Sequence, residues 1–416
     1  MHAEPFKCLR PAPQAAAGFA SLPYDVFDRA EAAAYVEAHP TSFLAIDRPE
    51  TAFPPDHDMY ADDVYAAARR ILEERAEDGT LLHDGKPCYY LYRLEADGRA
   101  QTGIVAACAL SDYADGTIKR HELTRRDKED DRVRHIKATG CQTGPIFLAY
   151  KDEPTLGMLV SAACSAEPLY DFTDEQGVHQ TVWRVARPEA VEALRLMLER
   201  VPSAYIADGH HRAASAARVC QEMRDAAGSA CTGTEPYNYL LCVLFPASQL
   251  TVLPYNRVVA DAHGLSEDGL VAAVDEAGFE VSAPRKEPVE PTEKGEFGMY
   301  AFGSWRSLTW RGDAVRDADP VASLDASLLQ DLVLGPVLGI GDPRSDKRIS
   351  FVGGNAGTQE LERRAGDSGV AFALHATSVD ELMAVADAGL LMPPKSTWFE
   401  PKLRSGLFIR KIANPK

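Results

Sequence analysis

The strongest constraint in this 416-residue sequence is the run Ala207-Asp208-Gly209-His210-His211-Arg212-Ala213-Ala214-Ser215-Ala216. It follows a short apolar run ending in Tyr205-Ile206, which reads as a strand. It precedes Ala213 to Met223, alanine-rich and free of Gly and Pro, which reads as a helix. Strand, tight turn at Gly209 and helix N-terminus together make an anion site. Backbone N–H groups without intrahelical partners and the positive end of the helix dipole face one point. His210, His211 and Arg212 add donors suited to phosphate oxygens, with Arg212 beginning an exposed helix turn. Asp208 could hold a divalent metal on those phosphates. A metal pair of His210 with His211 is disfavoured, because adjacent residues point in different directions. The competing reading is a polar surface turn, but so much site chemistry at one junction favours the anion site.

Three further constellations stand out. In Lys119-Arg120-His121-Glu122 a carboxylate sits among cations, as a general base beside a phosphate clamp would. A surface salt-bridge cluster has the same composition. The second histidine of a His-Glu-x-x-His metalloprotease motif is replaced by Arg125. In Pro393-Pro394-Lys395-Ser396-Thr397, rigid prolines precede a lysine and two hydroxyls, which suits a loop reaching into a site or a docked terminal loop. Asp25, in Pro23-Tyr24-Asp25, is either an Asx-type turn or a substrate or metal carboxylate. No Gly-x-Gly-x-x-Gly follows a strand and no Gly-x-Ser-x-Gly elbow occurs, so neither a Rossmann site nor a serine hydrolase is supported.

Asp208-Gly209-His210-His211-Arg212 and the following alanines resemble the nucleotide-binding motif of the ParB/sulfiredoxin-type fold. ParB proteins carry a similar Gly-x-x-Arg turn against nucleotide phosphates. Sulfiredoxins place a catalytic cysteine just after the glycine; His210 stands there in this chain, which argues against that chemistry. Free-serine kinases of the same fold carry an Asp-Gly-His-x-Arg version. Leu22-Pro23-Tyr24-Asp25-Val26, Arg120-His121-Glu122-Leu123-Thr124, Asp208 to Arg212 and Pro394-Lys395-Ser396-Thr397 occur in that order and resemble domain-of-unknown-function family 1015 over nearly the whole chain.

The resemblance implies phosphoryl transfer from ATP or ADP, with magnesium, to a hydroxyl metabolite such as free serine. Gly209, His210, His211 and Arg212 would bind phosphates, and Asp208 would hold magnesium or share base duty. Glu122 and His211 would join Asp208 in catalysis. Lys395, Ser396, Arg120, His121 and Asp25 would bind the substrate. The turn itself has no lysine, so Lys395 and the base Glu122 are expected to face it across one cleft. The alternatives are a ParB-like nucleotide-binding regulator without kinase activity, or a nucleotide or phosphoester hydrolase.

Composition narrows the partners. The formal charge of −18 argues against a nonspecific nucleic-acid or membrane-surface binder. The eight cysteines form no Cys-x-x-Cys pair and read as thiols of a reducing cytoplasm. Met1 to Pro11 lacks the apolar segment of a signal peptide, and no apolar run is long enough to span a bilayer.

The expected fold is α/β with α+β elaborations: a ParB/sulfiredoxin-like nucleotide-binding core at 111–250, an α+β segment at 1–110 and another at 251–416, or one intertwined unit. Asp62 to Ala76 reads as a helix and Phe43 to Ile46 as a short buried strand. Cys88 to Leu94 and Thr102 to Cys108 read as a hairpin turned at Ala96-Asp97-Gly98. The charged run after Arg125 reads as a solvated helix. Thr181 to Phe245 reads as one compact strand-helix-strand-turn-helix-strand unit.

Overall fold

The computed structural model describes residues 1–124, 126–312 and 319–413. Arg125, which breaks the metalloprotease spacing, lies outside the described residues. The chain is mixed α/β and divides into two compact units, Met1–Leu250 with Pro401–Lys416, and Thr251–Glu400.

Apolar runs build the first unit. Its main sheet runs Ile118–Lys119, Ala204–Asp208, Ile146–Tyr150, Tyr239–Pro246, Arg99–Ala109, Tyr89–Ala96, His179–Val185, Tyr170–Thr173, with Ala3–Glu4 also on Arg99–Ala109. Both faces of the central strands are covered, so Tyr89 to Tyr92, Ile104 to Cys108 and Leu240 to Phe245 are buried without alternation. The hairpin turns at Asp97 and Gly98, at φ 52° and 73°, the left-handed pair that a two-residue turn of this kind requires. Thr181 to Phe245 is not one contiguous unit: His179–Val185, Ala204–Asp208 and Tyr239–Pro246 are separated in the sheet by strands from earlier in the chain.

Two local expectations are corrected. Phe43 to Ile46 is no strand, since Leu44–Asp47 is a turn of α-helix. Four apolar residues buried all round carry no period that separates the two. The helix Arg126–Thr139 is not wholly solvated either: it packs against the helices Asp62–Glu77 and His210–Ala227 and buries Arg132, Val133, His135, Ile136 and Thr139. Its buried polar side chains have partners. Arg132 donates to the Asp47 carbonyl at 3.3 Å and pairs with Asp131, and the His135 ring bonds the Ile46 carbonyl at 2.8 Å.

A smaller sheet ties the tail into this unit, in the order Leu81–His83, Cys8–Pro11, Ile409–Lys411, Cys141–Gln142. The tail reaches it through Gly406, at φ 88°, where a Cβ would lie 2.6 Å from Cγ of the buried Phe43.

The second unit is an antiparallel sheet ordered Phe279–Val281, Ser304–Trp310, Glu296–Ala301, Val370–Leu374, Tyr255–Val259, Ile349–Gly353. Its first and last strands, Thr251–Leu253 and Trp398–Glu400, pair with each other, so the chain enters and leaves at one place, as an inserted unit must. Among the described residues no helix is long and apolar enough to cross a membrane.

Gly406→Ala adds a Cβ where both the left-handed backbone and the Phe43 ring resist it. It should cost the first unit more than about 2 kcal/mol in urea unfolding. A loss below about 0.5 kcal/mol, the level of an ordinary surface change, would refute the tight tail packing.

Candidate functional site

The site is assembled by strand pairing. Ile118–Lys119 lies parallel to Ala204–Asp208, with Ile118 opposite Ala204 and Lys119 opposite Tyr205. Parallel strands deliver their C-terminal continuations to the same edge of a sheet, where ligands of α/β proteins bind. Arg120-His121-Glu122 therefore arrives beside Asp208-Gly209-His210. Gly209 caps the 18-residue helix His210–Ala227 at φ 96°, and no side chain caps this helix end. A left-handed residue is needed there, and a Cβ would also lie 2.9 Å from Nε of Arg212.

The residues of the turn divide between inside and outside. His210 is buried, with Nδ1 3.6 Å from Oε2 of Glu122. That spacing is in ion-pair range and longer than a hydrogen bond. The rings of His210 and the buried His121 meet edge to face at 4.5 Å. Nε2 of His210 and Nδ1 of His121 are buried without a hydrogen-bond partner among the described residues. Burial pushes the His121 imidazole down to about 4, and burial with the neighbouring His121 holds His210 well below the usual histidine range. Both rings are thus neutral at physiological pH. Glu122 is better exposed, at 39% of its side chain, so it can reach a ligand that His210 cannot.

Arg212 does not begin an exposed turn. Its side chain is only 10% accessible. It donates to Asp208 Oδ2 at 2.8 Å and to the carbonyl of Pro145. Burial works against its charge, but Asp208, Asp25 and Asp47 outweigh that and hold it protonated. On its inner side Arg212 joins Tyr24, Asp47, Arg132, Thr143 and Ser405 around a cavity of about 30 Å³, room for a water or two. Asp25, in the short turn Tyr24–Val26, is exposed and bears on the site through the Arg212 charge.

One cation reaches the turn and two more lie at the strands beside it. Nζ of Lys402 is 4.0 Å from Asp208 Oδ1. Lys119 Nζ lies 5.7 Å from the Tyr205 ring centroid, and the Arg120 guanidinium 5.0 Å from that of Tyr113. Lys402 is unmarked in the sequence because a lone lysine in the tail carries no motif. It supplies within the first unit the lysine that the turn lacks. Lys395 and Ser396 belong to the second unit. There Lys395 adopts φ 57° with Nζ 5.5 Å from the Tyr255 ring, while the buried Ser396 donates to the Pro393 carbonyl at 2.8 Å.

Among the described residues no group of three His, Cys, Asp or Glu side chains could hold a metal ion. A metal held by protein ligands alone therefore does not fit. A magnesium ion carried on nucleotide phosphates needs only one or two carboxylates, and Asp208 stands at the turn.

Comparison with solved structures finds a free serine kinase variant in complex with AMP, at 13% identity and TM-score 0.35, over 71% of this chain and 87% of that one. It also finds SbnI with a C-terminal truncation from Staphylococcus aureus, at 12% identity and TM-score 0.37, over 74% and 87%. A conserved hypothetical protein from Pyrococcus furiosus matches at 14% identity and TM-score 0.34, over 74% and 95%. No functionally curated protein matches the chain. A family model described as "protein of unknown function (DUF1015)" matches residues 3–327. The match takes in the turn at Asp208 and the segment at Glu122 and ends before Pro394 to Thr397. The chain belongs to the DUF1015 family.

Proposed function

We propose that the first unit binds a nucleotide at the N-terminus of the helix His210–Ala227 and transfers a phosphoryl group to the hydroxyl of a small metabolite, with free serine the leading acceptor. The observation that carries this reading is the parallel pairing that sets the Glu122 carboxylate 3.6 Å from His210 at that helix end. Phosphoryl transfer asks a protein for positioning, cationic clamps and a base. The backbone N–H groups of Gly209, His210 and His211, at the positive end of the helix dipole, receive phosphate oxygens. Lys402, Lys119 and Arg120 surround them with positive charge. Glu122 takes the proton of the acceptor hydroxyl. The neutral His210 is a positioning residue for Glu122, and the imidazole of His211 stands with the phosphate donors. Arg212 acts from within, holding Asp208 toward the turn. Magnesium, held by Asp208 and the phosphates, would supply charge neutralisation there. ATP and ADP are the candidate donors, and Asp25 a candidate contact to the substrate.

Incubating the full chain with ATP, ADP or CTP, magnesium and pooled amino acids, with products read by mass spectrometry, tests the reaction class. The kinase reading expects phosphoserine or another phosphorylated hydroxyl compound. Free phosphate alone would make the protein a hydrolase, and binding without turnover a regulator.

Glu122→Gln should lower turnover by about 100-fold or more while nucleotide affinity stays within about twofold, as loss of a general base does. Lys402→Met should instead weaken nucleotide binding by about tenfold, equivalent to about 1.4 kcal/mol. Wild-type turnover in the first variant, or unchanged affinity by calorimetry in the second, rejects the assigned role.

The neutral His121 sets an acid limit. Its folded pKa lies below the unfolded value of about 6.5, so the unfolded chain binds the extra proton first. Stability is complete above about pH 6.5 and declines as pH falls toward about 4, by up to about 3 kcal/mol from this residue. Urea midpoints at about pH 7.5 and about pH 4.5, on either side of the ordinary histidine range, should differ less in His121→Gln than in the natural protein. An equal pH dependence in both would contradict the neutral, buried assignment.

A further inference from the structure

The second unit contains a buried charge that its own packing does not explain. Arg257 lies mid-strand in Tyr255–Val259, opposite Phe351 and Phe372 of the two neighbouring strands. By alternation it shares a face with Val259, which packs into the core of Ala326, Leu334 and Ile349. Apolar residues belong on such a face, yet Arg257 is there at 3% exposure. Its hydrogen-bond partners among the described residues are two carbonyls, of Tyr255 and of Pro394 at 3.5 Å. No carboxylate among the described residues lies within ion-pair distance of it. An uncompensated buried charge costs several kcal/mol. Burial alone draws this guanidinium down to about 10.

The space beside it is built. A cavity of about 180 Å³ is lined by Arg257, Arg344, Gln330, Asp342, Phe351 and the Pro393-Pro394 pair. The Arg257 guanidinium lies 5.5 Å from the Phe351 ring centroid. Gln330 opens a π-helical turn, Gln330–Leu334, an irregularity frequent where helices shape sites. The next residue after the proline wall, Lys395, holds a left-handed backbone that only glycine adopts freely, a strain that recurs at ligand clamps. Asp342 is turned to local structure, accepting from the backbone N–H of Arg344 at 3.0 Å.

We infer that this cavity binds the oxyanion group, phosphate or carboxylate, of a small metabolite, with Arg257 at its floor and Arg344 at its mouth. An entering oxyanion gives Arg257 the counter-charge that the protein withholds, in a planar geometry that a guanidinium matches with two parallel hydrogen bonds. The prolines keep the wall beside Arg257 rigid, so the space persists without ligand. This site lies wholly within the second unit and does not depend on the nucleotide reading of the first.

The test is isothermal calorimetry of the full chain with inorganic phosphate and, in a separate arm, malonate, each against chloride at matched ionic strength. Saturable binding of either anion is expected, and the arm that responds identifies the source of the oxyanion. Arg257→Met should abolish the binding while the protein melts at the same or a higher temperature, because a costly buried charge has gone. Arg344→Gln, at an exposed position that does not endanger folding, should weaken binding at least tenfold. Lys402→Met should leave it unchanged. Absence of saturable binding in both arms overturns the inference. So does binding that survives both arginine changes, or that Lys402→Met removes, which would place the anion at the first unit's helix.

Discussion

Everything at the candidate site depends on one short parallel contact, Ile118 and Lys119 against Ala204 and Tyr205. Two residues on each side fix the register. A slip of one residue would shift Arg120-His121-Glu122 relative to Asp208-Gly209-His210 and undo their approach. The same register brings a carboxylate, two neutral imidazoles and a helix N-terminus to one sheet edge. Burial then sets their chemistry. It removes charge from His121 and His210 and leaves Glu122 the better exposed of the three, at the rim.

Buried arginines are used in two contrasting ways. Arg212 and Arg132 are compensated by carboxylates: Asp208 for the first, Asp131 for the second, with Asp47 near both. They make a closed, satisfied network beneath the helix, and breaking one partner would strand the other. Among the described residues Arg257 has carbonyl partners and no acid. The difference separates an arginine that holds a fold together from one whose environment is complete only with a ligand.

Much of this is legible in the sequence where local chemistry decides structure. Gly209 between an apolar strand and an alanine-rich helix, and Asp97-Gly98 between two apolar runs, announce their turns because few residues tolerate positive φ. Glu122 can be marked as a candidate base, but its neighbour His210 comes from strand pairing that no local pattern encodes. The burial of Arg212 is hidden for the same reason: the Pro145 carbonyl and the cavity it faces belong to other segments. Phe43 to Ile46 reads as a strand and folds as a helical turn because a buried apolar quartet has no period. Lys402 carries no signal, and Arg257 stands next to Asn256 in a strand that does not alternate, so its burial is hidden until the core on its side is seen.

The central claim is that the turn at Gly209 and the segment at Glu122 form one nucleotide site. Amide hydrogen exchange of the full chain, with and without ADP and magnesium, tests it most directly. The account predicts new protection confined to the segments 207–213 and 119–123, because phosphate oxygens bind the N–H groups at the helix start and hold the paired segments closed. Exchange left unchanged in both segments, or protection that appears elsewhere in the chain, would contradict it.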